Sequence, residues 1–267
     1  MTTELPTDAA LAEEVETGTG GLRLDLTRRL AAEALGTGLL VMAVVGSGIA
    51  ASRLSRGDVG LQLLENAAAT TGALIGLILM FGAVSGAHFN PAVTLLDRAL
   101  GTTSTRDTGL YVMAQVAGGC LGAVVANLMF ELPAVELSTH DRSSAALWLS
   151  ELVATVTLLL LIQGCVRTGR AAVVPFAVGA WIGGAYFFTS STSFANPAVT
   201  VARTLSDTFA GIAPASAPAF VLVQLAAVGV AFALVRLLYP ERAGPAAPPA
   251  PAADPRPTTD GTEPPRG

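Results

Sequence analysis

The sequence predicts an all-α membrane protein, with six transmembrane helices plus two re-entrant half-helices in two inverted repeats. Three observations carry that reading. Of the 267 residues, 52% are apolar and only 13% are charged, about half the charge of an average globular chain. Six apolar stretches approach the roughly 20 residues needed to cross a hydrocarbon core about 30 Å thick. A ten-residue motif recurs 106 residues after its first occurrence.

Taken in order, residues 1–27 form an acidic tail carrying Glu4, Asp8, Glu13, Glu14 and Glu16. It has too few large apolar groups to bury a core, and no basic segment leads into a short apolar run, so no signal peptide is read there. The membrane domain spans 28–240, with one repeat over about 28–135 and a second over about 143–240. Candidate spans are 30–51, 62–84, 108–130, 145–166, 172–190 and 215–239. Two further apolar stretches, 90–99 and 196–204, are too short to cross and read as re-entrant. Each opens with Asn-Pro: asparagine is a good N-cap, and proline suits the first helical position because its missing N–H would be unpaired there. Residues 241–267 hold eight of the 16 prolines, a composition that neither forms a helix nor buries a core.

Charge excludes several functions. A net charge of −5 with no basic patch excludes a nucleic-acid partner. No nucleophile–base, metal-ligand or phosphate-cradling constellation is present, so neither an enzyme nor a cofactor is expected. Cys120 and Cys165 lie in apolar runs, where a thiol acts as a small hydrophobe. All 15 basic residues are arginine, and their placement sets orientation. Arg23, Arg28, Arg29, Arg98, Arg106, Arg167, Arg170, Arg236 and Arg242 fall on one side. The other side has Arg53, Arg56 and Arg142, offset by Asp58, Glu131, Glu136 and Asp141. The positive-inside rule then places both termini in the cytoplasm of a multi-pass inner (plasma) membrane protein.

The repeat is explicit. Ser85-Gly-Ala-His-Phe-Asn-Pro-Ala-Val-Thr94 matches Ser191-Thr-Ser-Phe-Ala-Asn-Pro-Ala-Val-Thr200. Glu33 and Glu151 precede the two motifs, and Tyr111–Gln115 and Phe220–Gln224 follow them. Three crossings per half force opposite insertion of the halves. The two Asn-Pro-Ala boxes (Asn90, Pro91, Ala92 and Asn196, Pro197, Ala198) should therefore meet near the midplane. Helix amino ends are positive and carry unpaired N–H groups. At that depth they need either packed protein or a wet cavity, which implies an aqueous path that repels cations.

Paired Asn-Pro-Ala boxes, six spans, inverted halves and the Glu33/Glu151 pair resemble the major intrinsic proteins, the aquaporins and aquaglyceroporins, over about residues 28–240. The resemblance implies an aquaporin-like fold and a homotetramer with one pore per protomer. It also implies an outer selectivity filter at Thr70, twenty residues before Asn90; Gly184, twelve before Asn196; Ser193; and Val199. Most members carry arginine where this chain has Val199. Four small side chains should make a wide, weakly charged filter, which favours polyols, ureas or trihydroxy metalloids over strict water selectivity. The Asn196–Arg203 stretch also resembles a bacterial subgroup tied to arsenic resistance.

Individual polar residues carry open alternatives. Arg203 lies seven residues after Asn196; it either returns a positive group to the outer vestibule or snorkels to the interface. Asp97 holds the equivalent place after Asn90, where a pair with Arg98 or Arg106 is expected. Glu33 and Glu151 are either proton-coupling carboxylates or, the favoured reading, acceptors for the freed backbone of the re-entrant loops, with Gln115 and Gln224 as buttresses. His88 is placed along the cytoplasmic half of the pore, and neither it nor His140 forms a metal site. The overall reading is a passive channel for water and small neutral solutes, glycerol-like polyols and arsenite among them. An ion-coupled transporter and a strictly water-selective aquaporin are the alternatives.

Overall fold

The structure, a computed structural model, describes residues 26–240. Both tails predicted from composition, and Arg23 and Arg242 with them, lie outside the described residues, except that Leu26 and Thr27, expected in the first tail, open α1. The described chain is helical throughout: α1 (Leu26–Leu54), α2 (Val59–Ser85), α3 (Pro91–Ala99), α4 (Thr105–Met129), α5 (Ala145–Arg167), α6 (Val174–Phe188, entered by a 3₁₀ turn at Ala171–Val173), α7 (Pro197–Ala202) and α8 (Ala217–Leu238). Six helices are long and apolar enough to cross a membrane. The two short ones, α3 and α7, are the re-entrant pair.

Local chemistry sets the boundaries. Asp58 caps α2 by accepting from Leu61 N at 2.9 Å, and Ser104 caps α4 by accepting from Asp107 N at 3.0 Å. Asn90 and Asn196 cap the half-helices, accepting from Ala92 N at 2.9 Å and Ala198 N at 3.0 Å. Each is followed by its proline at the first helical position, where a missing N–H costs nothing.

Lipid tails are as apolar as leucine, so burial of greasy surface does not hold these helices together. Close packing and interhelical hydrogen bonds do. Large apolar side chains accordingly point outward, such as Leu121, Leu222 and Met80. Small residues sit at the crossings. A Cβ on Gly118 would lie 2.0 Å from Ala34 O, and one on Gly122 would lie 2.1 Å from Gly38 O. Hence α1 and α4 touch backbone to backbone. α6 also packs closely on α2, here glycine against side chain, with Gly183 against the Thr71 hydroxyl and Gly179 against Ile75. Polar residues fill the interior: Glu33, Thr37, Thr94, Gln115, Glu151, Thr200 and Gln224 are all fully buried.

Candidate functional site

The site is built around two buried carboxylates. In the first half, Glu33 on α1 receives four donors, from the last residue of α2, the loop before α3 and α4. These are Ser85 Oγ at 2.6 Å, His88 N at 3.0 Å, Phe89 N at 2.8 Å and Gln115 Nε2 at 2.7 Å. In the second half, Glu151 on α5 receives Ser191 Oγ at 2.6 Å, Phe194 N at 2.8 Å, Ala195 N at 2.8 Å and Gln224 Nε2 at 2.6 Å. A buried charge is tolerated only when its lone pairs are satisfied, and here they are. The loops they hold are bent: Ala87, Phe89, Ser193 and Ala195 have φ between 48° and 52°, left-handed backbone that costs a non-glycine residue on the order of 1–3 kcal/mol. The carboxylates are thus the anchors of two strained loops. Gln115 and Gln224 extend each network to the Thr94 and Thr200 hydroxyls, both at 3.0 Å.

Those loops meet at the two asparagines. Asn90 Nδ2 donates to Ala195 O at 2.8 Å, and Asn196 Nδ2 donates to Phe89 O at 2.7 Å. Each half therefore ties down the other. Every Nδ2 carries a second hydrogen, and both asparagines line a shared cavity of about 540 Å³. Its walls otherwise are mostly aliphatic, with Leu40, Val44, Leu74, Leu158 and Val178 among them. A solute in this cavity meets apolar walls and a few fixed donors and acceptors, the arrangement that passes polar molecules without trapping them.

At the end nearer α7 the cavity is lined by Thr70, Tyr186, Ser193, Val199 and Arg203. Gly184 departs from its expected place. It lies on an exposed face of α6 with only Phe188 within reach of a Cβ, whereas the cavity face of α6 is Val178, Ile182 and Tyr186, one residue per turn. The residue that sequence counting missed is Tyr186, whose hydroxyl lies 3.1 Å from Thr70 Oγ1. A count without gaps assumes a fixed loop length between α6 and Asn196; the buried aromatic two residues further on was the available signal. Arg203 is 3% exposed and faces the same cavity rather than reaching for an interface. Its Cζ stands 3.4 Å from the centroid of the Phe194 ring, and its Nε donates to Ala210 O. Arg142, from the loop before α5, stands over the same ring at 5.1 Å and donates Nε to Gly211 O at 3.0 Å.

The loop between α4 and α5 is tied to the segment between α7 and α8 by two aspartates. Asp207 accepts from Thr139 N at 2.8 Å, and Asp141 accepts from Ser216 Oγ at 2.8 Å. The Thr139 backbone N–H holds the Asp207 carboxyl below the usual aspartate range. Hydrogen bonds from Ser143 and Ser216 do the same for Asp141.

At the end nearer α3 the lining includes His88, Asp97 and Gln163. Asp97, expected beside Arg98 or Arg106, instead faces His88, with Nε2 to Oδ2 at 3.1 Å, and accepts from Gln163 Nε2 at 2.8 Å. The other ring nitrogen of His88 lies 3.0 Å from Thr94 Oγ1.

Six apolar helices around a cavity pinched by two facing half-helices define a membrane channel, not an enzyme. The comparisons say which kind. Residues 22–193 match the Major intrinsic protein family, and the chain belongs to it. It is 51% identical over 219 residues to the Aquaglyceroporin AqpS of Rhizobium meliloti (strain 1021), covering 82% of this chain and 93% of that protein. It is 31% identical over 150 residues to the Putative aquaporin NIP4-1 of Arabidopsis thaliana, covering 55% and 51% of the two chains. Among solved structures it is similar in fold to the aquaglyceroporin from Plasmodium falciparum, with a TM-score of 0.62 at 20% identity, covering 80% of this chain and 97% of that one. The protein is a multi-pass membrane channel of this family, a passive path for small solutes.

Proposed function

We propose that the channel passes uncharged solutes larger than water: glycerol-like polyols, urea and trihydroxy metalloids such as arsenous acid. The supporting observation is the outer end of the cavity, where Val199 stands one turn into α7 in place of a long cationic side chain. Pore width and lining donors set selectivity, and a valine there leaves room for a solute with three hydroxyls. Thr70, Ser193 and Val199 make up this outer filter, with Tyr186 in place of Gly184. Asn90 and Asn196 offer their free amide hydrogens at the waist, and His88 lines the opposite half. Pro91, Ala92, Pro197 and Ala198 fix the helix starts that aim the asparagines, while Glu33, Glu151, Gln115 and Gln224 hold the loops without touching the solute. The 51% identity to a protein named as an aquaglyceroporin favours this reading over strict water selectivity. We further infer a homotetramer in the plasma membrane with both ends cytoplasmic, as the arginine distribution requires. The test is stopped-flow light scattering on one reconstituted sample challenged with water, glycerol, urea and arsenous acid. The reading requires solute entry well above that of empty vesicles for glycerol and arsenous acid. Water permeability alone would refute it.

A further inference from the structure

The outer filter is wide at Val199, but its charge has not been lost. We propose that Arg203 supplies the filter's guanidinium from one turn further along, and that with Ser193 it forms a recognition subsite for solutes bearing two neighbouring hydroxyls. This deepens the proposed solute class and rests on that reading.

The geometry runs as follows. Side chains on a helix lean back toward its amino end, so a residue four positions on covers the turn before it, about 5.4 Å back. Arg203 opens the 3₁₀ turn after α7, and its guanidinium reaches back to the Phe194 ring, two residues before Asn196. Phe194 beneath the guanidinium and Ala210 O at Nε hold it in place. Among the described residues nothing accepts from its two terminal nitrogens, and no carboxylate pairs with it: the ion pairs there are Arg29–Asp107 and His88–Asp97. A buried guanidinium whose terminal N–H groups face a cavity has its donors directed at whatever passes. A second orphan belongs to the same cavity wall. Ser193 is 4% exposed and lines the cavity, and its buried Oγ has no hydrogen-bond partner. Buried polar atoms are ordinarily paired, so both groups await a ligand atom.

A guanidinium presents parallel N–H donors in a rigid fork. Two hydroxyl oxygens on one atom, or on adjacent atoms, match that fork, while Ser193 Oγ accepts from a hydroxyl hydrogen. A solute with an amide and no hydroxyl uses less of the site. An uncompensated positive charge at this point also repels cations. Separating charge from width in this way lets the pore stay wide and still exclude protons.

The experiment compares glycerol with acetamide, which is similar in size but has no hydroxyl, in vesicles containing the full chain; proton leak is read with an enclosed pH dye. Arg203→Met should lower the glycerol-to-acetamide ratio about tenfold, the worth of a charge-assisted hydrogen bond, and raise proton leak. Arg203→Lys should keep protons out yet lose most of the ratio, because it keeps the charge and loses the fork. A Met variant with the wild-type ratio and wild-type leak overturns the proposal. If that variant fails to fold, Ser193→Ala decides: it breaks no bond in the protein, so an unchanged ratio overturns the subsite and a fall supports it. Wild-type vesicles that admit no solute at all would instead sink the proposed function.

Discussion

The two re-entrant loops share one scaffold and differ in what they present to the solute. In both, a buried glutamate takes four donors, an asparagine crosses to the opposite loop, and a glutamine bridges to a threonine on the half-helix. In both, the residue two before the asparagine packs on an aromatic ring of the following long helix: His88 on Tyr111 at 5.4 Å and Phe194 on Phe220 at 5.3 Å. The same residue also contacts the side chain seven after the asparagine. There the halves part. Asp97 faces His88, with Oδ2 3.1 Å from Nε2, so the carboxylate has a ring-nitrogen partner at one end. Arg203 lies on Phe194 at 3.4 Å, with no carboxylate to meet it at the other. The repeat thus holds its anchors fixed and sets side chains of opposite formal charge at two matched positions on the cavity wall.

Removing an anchor should have the largest effect. Glu33→Ala and Glu151→Ala each orphan four donors. At about 1–3 kcal/mol for each buried donor left unpaired, either loss rivals the whole stability of a domain. Both variants should fail to give monodisperse, helical protein on size-exclusion chromatography. If one half tolerates the change, the scaffolds are not equivalent.

Placing a long cation at Val199 comes next. Val199→Arg should reduce glycerol and arsenous acid entry by tenfold or more while water flux is kept, since pore width sets the solute cutoff. Unchanged solute flux in stopped-flow would mean that Val199 does not border the narrow point.

The correction on α6 gives a sharper contrast. Tyr186→Phe removes the hydroxyl 3.1 Å from Thr70 and should change the solute profile by a few-fold. Gly184→Ala adds a methyl on an exposed face and should leave flux and stability unchanged, as surface substitutions do within about 0.5 kcal/mol.

A smaller effect is expected at the opposite end. Asp97→Asn breaks the pair with His88 at a partly exposed site, so the cost should be at most about 1 kcal/mol, a fall in melting temperature of about 2–4 °C.

The smallest effect concerns pH. Asp141 and Asp207 have carboxyls held below the ordinary range. A lowered folded-state pKa gives stability that is complete above the unfolded value, about 3.9, and is lost as pH falls through the folded value. The loop clasp should therefore be unaffected between pH 8 and 5 and loosen only below about 4, readable as proteolytic cleavage of the loop between α4 and α5.

Much of this was legible in the sequence because the repeat carries its own control. Six apolar stretches gave the helices, and a motif occurring twice with Glu33, Glu151, Gln115 and Gln224 at matched places showed which polar residues act together. What escaped depends on where side chains turn in irregular backbone. The α6 register follows from where that helix ends, at Phe188, which a gapless count from Asn196 ignores; hence Gly184 was expected on the cavity face that Tyr186 occupies. The partner of Asp97 is His88, reached only because left-handed residues at Ala87 and Phe89 fold the loop back, so neighbours in sequence such as Arg98 misled. The direction of Arg203 depends on Phe194 and Ala210, contacts that no spacing reveals.

Whether these paired loops enclose a passive path is tested most directly by glycerol entry into vesicles bearing the wild-type chain, with and without an imposed proton gradient and membrane potential. A passive channel gives the same initial rate in every condition and never exceeds equal concentrations on the two sides. A rate that follows either gradient, or accumulation above the external level, would make Glu33 or Glu151 a coupling group and contradict the account.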